Sequence, residues 1–183
     1  MNPFIPHCTG QVLLDGGGGD LGEGFQDFPV RPDELRTPSA DHKKVLNWYQ
    51  DHTGLDGRYR VLDAIDGTGP GVIRGHTTYR ETGDFAHLPG VRYQYSPYLF
   101  EALLQLAGFH MVTTALADQR PVLPVEIGEM RFLRQCRAGE PVILEARLRA
   151  RDKASLAWDA RGLDEQGHTI MQIRAMRMQW VAA

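Results

Sequence analysis

Glu101 and Gln105 stand four residues apart inside a run, Pro97 to Met111, whose other side chains are almost all apolar. His87 precedes the glutamate by fourteen positions. An unpaired carboxylate among apolar side chains costs several kcal/mol, so its presence there asks for a function or a partner. On a helix the i, i+4 spacing puts Glu101 and Gln105 on one face. Apolar surroundings raise the pKa of a carboxyl group so that it keeps its proton near neutrality, whereas histidine titrates there in any setting. One group able to give a proton and one able to take it are the minimum for general acid–base chemistry. The plainer alternatives are a loop histidine for His87, a strand cap or an ion pair with Arg92 for Glu101, and a satisfied polar group for Gln105.

Other chemistry finds less support. Ser96 lacks the G-x-S-x-G setting of a serine nucleophile. The glycine run Gly16 to Gly19 has no Gly-Lys-Ser/Thr ending, and Asp15, Asp20 and Glu23 would repel phosphate. Cys8 and Cys136 are too few for a disulfide framework and belong to no metal-ligand cluster. His76, on a predicted strand, and His110, at the far end of the apolar helix, read as structural or surface residues.

The elements that must hold these groups follow from the pattern. The 183 residues suit one domain with a substantial core. At 42% hydrophobic, 23% charged and net −3, the chain offers nothing to nucleic acid or to an anionic membrane. No apolar run approaches the roughly 20 residues that span a bilayer, the opening "MNPFIPHCTG" does not read as a secretory signal, and the expected compartment is the cytoplasm. Residues 1–53 are predicted to form an irregular extension with one short helix. That helix lies in "SADHKKVLNWYQDHTG", with Ser39 or Asp41 as cap, Val45, Leu46 and Tyr49 as its apolar face and Gly54 as its stop. From 54 to 183 a single domain is expected. "GRYRVLDAI" alternates like a half-buried strand, "DGTGPG" supplies turn residues, and "VIRGHTTYRE" is a second strand. A loop, "TGDFAHLPGVRYQYS", leads to the helix from Pro97 to about Ala117. Four more strands follow in "VLPVEIGEMRFLRQC", "PVILEARLRARD", "SLAWDARGLDEQ" and "HTIMQIRAMRMQWV". A helix apolar nearly all round belongs in the interior, against the concave face of a curled antiparallel sheet. The expected class is α+β.

The stretch His87 to Gln105 resembles the signature of the hot-dog-fold 3-hydroxyacyl-acyl-carrier-protein dehydratases of fatty-acid and polyketide synthesis. His87, Pro89 and Gly90 match its opening. Glu101 falls at the family's spacing from the histidine, with Ala102 beside it and Gln105 four further on, and "LAGF" continues in the same style. "EMRFLRQCRAGEPVILEARL" resembles the strand pair that follows in those proteins, and the likeness runs from about Gly57 to Val181. Three positions depart from it: Arg92 replaces a proline, and Tyr95-Ser96 stand where a Pro-Gly pair precedes the helix. The next residue, Pro97, has no N–H.

The resemblance implies a sheet of five to seven strands around the one long helix and dehydration of a 3-hydroxyacyl thioester to the 2-enoyl thioester. His87 would be the base and Glu101 the acid, with Gln105 supporting it. The amides near Gly90, Ser96 and Tyr98 would serve the thioester carbonyl. No metal or nucleotide cofactor is implied, because the acyl chain arrives on the phosphopantetheine arm of an acyl carrier protein. Tyr93, Tyr95 and Tyr98 line the acyl tunnel or pack as ordinary aromatics. An open sheet edge favours a homodimer, and the resemblance places His87 of one subunit against Glu101 of the other. Two other functions fit the same residues: a hot-dog acyl thioesterase, in which Glu101 directs water and His87 is incidental, and a non-catalytic acyl-chain-binding module.

Overall fold

The computed structural model describes residues 29–36, 39–80, 97–114 and 122–180. After a 3₁₀ turn at Pro32–Glu34 come helix α1 (His42–His52), a second 3₁₀ turn at Gly57–Tyr59, and strands β1 (Ala64–Gly69) and β2 (Val72–Thr78). Helix α2 (Pro97–Thr113) follows, then β3 (Val122–Phe132), β4 (Pro141–Arg151), β5 (Ser155–Leu163) and β6 (Thr169–Trp180). The strands form one antiparallel sheet in the order β1-β2-β4-β5-β6-β3. The sheet curls around α2, as expected for a helix with no polar face.

Helix α2 buries Tyr98, Leu99, Ala102, Leu103, Leu106, Ala107, Phe109 and Met111, and it packs on β2, β4 and β5. Two strand glycines lie under it at short range. A Cβ on Gly75 would stand 2.6 Å from the Ala64 carbonyl oxygen and 3.2 Å from Leu106 Cδ1, and one on Gly162 would stand 3.1 Å from Leu99 Cδ1. The strands that face the helix are thus thinned where the helix crosses them. The expected continuation of α2 to Ala117 lies outside the described residues beyond Thr114.

Two local expectations are corrected. The strand read in "GRYRVLDAI" does not start at Gly57: Gly57–Tyr59 is a 3₁₀ turn, and the ladder begins at Ala64. The reason lies in how the backbone is satisfied. The N–H groups of Val61 and Leu62 donate to the Tyr49 hydroxyl, and the Val61 carbonyl accepts from Thr77 and Tyr98 side chains, so this stretch needs no neighbouring strand. Most of "DGTGPG" is strand, and the turn is confined to Pro70 and Gly71, the latter at φ 69°. Helix α1 is capped by Asp41, whose side chain accepts from the Lys44 N–H. Its buried residues are Val45, Trp48 and Tyr49, with Leu46 only half-buried. They join the same core as α2.

The two ends of the sheet differ. At β1 the chain covers its own edge: Ala40 and Ile65 exchange both backbone hydrogen bonds, and the Arg36 N–H donates to the Thr68 carbonyl. On the outer face, Glu34 forms a bidentate pair with Arg147, and the Val30 N–H reaches the buried Glu145 carboxylate, which is also held by Arg161. At the other end β3 is the last strand, with Leu123 56%, Val125 52% and Met130 38% exposed.

The Gly75 contact yields a prediction. Gly75→Ala forces a methyl against the β1 backbone, where no rotamer change can relieve it. A loss of about 1–3 kcal/mol in unfolding free energy is expected, read from the lowered midpoint of urea unfolding.

Candidate functional site

Gln105 is 5% exposed and every hydrogen-bonding valence of its amide is used. Its Nε2 donates to the Tyr59 carbonyl at 2.8 Å and to Glu101 Oε1 at 2.6 Å. Its Oε1 accepts a short hydrogen bond from the Tyr49 hydroxyl and a long one, 3.4 Å, from the Val61 N–H. Tyr49 is fully buried, and its hydroxyl also accepts from the N–H groups of Val61 at 3.1 Å and Leu62 at 2.9 Å. Burial raises the Tyr49 pKa, so the hydroxyl keeps its proton. Three pieces of chain meet here: α1 through Tyr49, the segment before β1 through Tyr59, Val61 and Leu62, and α2 through Gln105. They converge on Glu101, which remains half-buried at the side of the helix. Its Oε1 is engaged by an N–H donor, and among the described residues Oε2 makes no hydrogen bond.

The expected site residues divide accordingly. Glu101 and Gln105 are brought together by a direct hydrogen bond. Tyr98 is fully buried: its hydroxyl lies 3.0 Å from Thr77 Oγ1 and 3.2 Å from the Val61 carbonyl, and its ring meets Tyr79 edge-on at 6.0 Å. Its side chain is therefore core packing, one of the two readings open to it. Burial raises the pKa of its hydroxyl as well. His87, Gly90 and Ser96, with Tyr93, Tyr95 and Arg92, lie outside the described residues.

His110 is structural. It is 1% exposed with Nε2 at 2.9 Å from the Gly69 carbonyl, and its ring stands edge-on to Trp158. A carbonyl can only accept, so Nε2 carries the hydrogen, and burial lowers the pKa, holding the ring neutral. His76 is exposed and pairs with Asp66. An open cleft of about 590 Å³ lined by Arg134, Glu140 and Asp164 includes neither Glu101 nor Gln105. Within it Arg134 pairs with both Glu140 and Asp164.

Tyr49 was the residue that pattern reading missed. It was legible only as part of an apolar helical face, since nothing local marks a hydroxyl whose partner lies 56 positions away.

An antiparallel six-stranded sheet wrapped on one long helix in this strand order is a hot-dog fold. A family model for the polyketide synthase dehydratase N-terminal domain matches residues 27–183, and the chain belongs to that family. No curated protein matches it. Among solved structures, an inactive mutant of the CurK dehydratase has a TM-score of 0.61 at 22% identity, covering 82% of this chain and 51% of its own. The dehydratase domain of RzxB from Pseudomonas fluorescens has a TM-score of 0.59 at 16% identity, covering 78% and 49%. A hypothetical thioesterase from Streptococcus pneumoniae, crystallised with coenzyme A, has a TM-score of 0.50 at 11% identity, covering 64% and 84%. The chain thus spans about half the length of the dehydratases it resembles.

Pro97 opens α2. Its fixed φ suits the first helical turn, where a missing N–H leaves no bond unmade. Pro97→Gly should lower stability by about 1 kcal/mol or somewhat more, through a freer unfolded chain and a weaker helix start. The denaturation midpoint checks this, and any dehydratase activity should survive because no reacting group is removed.

Proposed function

We propose that this chain dehydrates a 3-hydroxyacyl thioester, carried on the phosphopantetheine arm of an acyl carrier protein, to the 2-enoyl thioester. The observation that carries the reading is the Glu101–Gln105 hydrogen bond, 2.6 Å long on a helix otherwise buried in apolar contacts, at the family's spacing from His87. Membership of a dehydratase family supports it.

In this mechanism His87 takes the proton from the carbon next to the thioester carbonyl. The freed electron pair forms the carbon–carbon double bond as the C–O bond to the 3-hydroxyl breaks. Glu101, protonated, delivers its hydrogen from Oε2 to the departing oxygen, which leaves as water. Atoms balance with His87 and Glu101 alone, so the reaction calls for no metal or nucleotide. Gln105 keeps Oε1 occupied and the acid oriented. Pro97 has no N–H, so the amides of Ser96 or Tyr98, at the positive end of the helix dipole, are the donors available to the carbonyl.

The complete unit is a pair of copies. β3 ends the sheet with apolar side chains exposed along it, and pairing of β3 with β3 across a two-fold axis covers them. The resemblance implies that such a pair would bring His87 of one copy to Glu101 of the other.

Two measurements test this. His87→Ala should lower the rate of enoyl formation, followed by absorbance, by about 10²–10⁴, the usual contribution of a positioned acid or base; an unchanged rate removes His87 from the mechanism. If free thiol forms in place of enoyl, the protein is a thioesterase; binding with neither product marks an acyl-chain-binding module. In light scattering the active species should have twice the chain mass, and a fully active monomer would refute the paired site.

A further inference from the structure

The hydroxyl of Tyr49 decides which way round the Gln105 amide sits. Two backbone N–H groups, Val61 and Leu62, already donate to that oxygen, so its own hydrogen is left for the Gln105 side chain. The group it meets must therefore be an acceptor, and Oε1 is the only acceptor an amide side chain has. On the other side the Tyr59 carbonyl accepts and cannot donate, so it demands the –NH₂ end. Both constraints orient the amide identically and turn its second N–H to Glu101 Oε1. Reversed, the amide would set its oxygen against the Tyr59 carbonyl and its nitrogen against two donors, the Tyr49 hydroxyl and the Val61 N–H.

We propose that Tyr49 is a positioning residue for the acid, fixing the Gln105 amide so that it donates to Glu101 Oε1 and thereby assigns the transferable hydrogen to Oε2. A carboxylic acid whose one oxygen already faces an N–H carries its hydrogen on the other. The 3-hydroxyl of a substrate therefore meets the proton-bearing oxygen. This inference rests on the dehydratase reading of Glu101. It adds that a residue of α1, before the hot-dog strands in the chain, governs the acid through one hydroxyl.

The test is a double-mutant cycle on a 3-hydroxyacyl thioester, with rates normalised to the folded fraction by near-ultraviolet circular dichroism. Tyr49→Phe and Gln105→Leu should each lower kcat by about 10²-fold, the cost of a misplaced reacting group, with KM changed less than about 3-fold. The double variant should fall no more than about 3-fold below the worse single, because both changes break one chain of contacts. A Tyr49→Phe protein that melts earlier yet keeps kcat within about 3-fold would overturn the proposal, as would two losses that multiply. Glu101→Gln separates the layers. If it stays active, the dehydratase reading itself fails; if it is inactive while Tyr49→Phe is unimpaired, only the positioning role fails. Should Tyr49→Phe not fold, the parent protein still decides. Its Gln105 side-chain amide should give two resolved, slowly exchanging protons by ¹H–¹⁵N NMR, of which Glu101→Ala shifts mainly one. Rapid exchange of both would sink the idea.

Discussion

Everything in this molecule follows from burying a helix that has no polar face. A helix with one wet side can rest on a flat sheet, but α2 needs apolar contact nearly all round, so the sheet bends about it and α1 closes part of the remaining side. The close approach at Gly75 and Gly162 sets how deeply it sits. Interiors packed at crystal density do not deform continuously, so a helix seated in this way holds its side chains in one register. Glu101 inherits that rigidity: the precision of a half-buried carboxyl comes from the apolar residues on its own helix.

The same burial creates the polar problem that the site answers. Between α1 and β1 the stretch from Tyr59 to Leu62 runs against the core, and the N–H groups of Val61 and Leu62 and the carbonyls of Tyr59 and Val61 are satisfied by side chains. Tyr49, Gln105, Thr77 and Tyr98 do this. A network in which each member is satisfied rigidifies its surroundings, and here its last link is a carboxyl oxygen. The bonds that satisfy this segment and the bond that holds the Glu101 carboxyl are one network, which is why the setting of Glu101 cannot be assigned to α2 alone.

Much of this was legible in the residues. Apolar density marked α2, alternation and turn residues marked β2 to β6, and Ser39 or Asp41 marked the start of α1, of which Asp41 is the cap. The first strand was misplaced because "RYRVL" alternates as a strand does while its backbone bonds go to side chains; alternation reports burial, not hydrogen-bond partners. The face expected of α1, Val45, Leu46 and Tyr49, did not include Trp48, since one helical turn offers several apolar faces and only the tertiary partner, here Phe109 with its ring 5.1 Å from that of Trp48, selects among them. The pairing of Glu101 with Gln105 was readable from an i, i+4 spacing. Tyr49 was not, because a contact across 56 positions leaves no local trace.

The unequal ends of the sheet bear on how large an assembly can grow. A sheet with two open edges can add copies at both and extend without limit, in the manner of a fibre. Here Ala40 and Arg36 occupy the β1 edge from within the chain, whereas among the described residues no strand pairs with the outer side of β3. A self-complementary edge contact uses up that surface on both participants at once. Under the proposed β3 pairing, growth along the sheet would therefore stop at two units, with the segment that reads in sequence as an irregular extension acting as a stop against polymerisation.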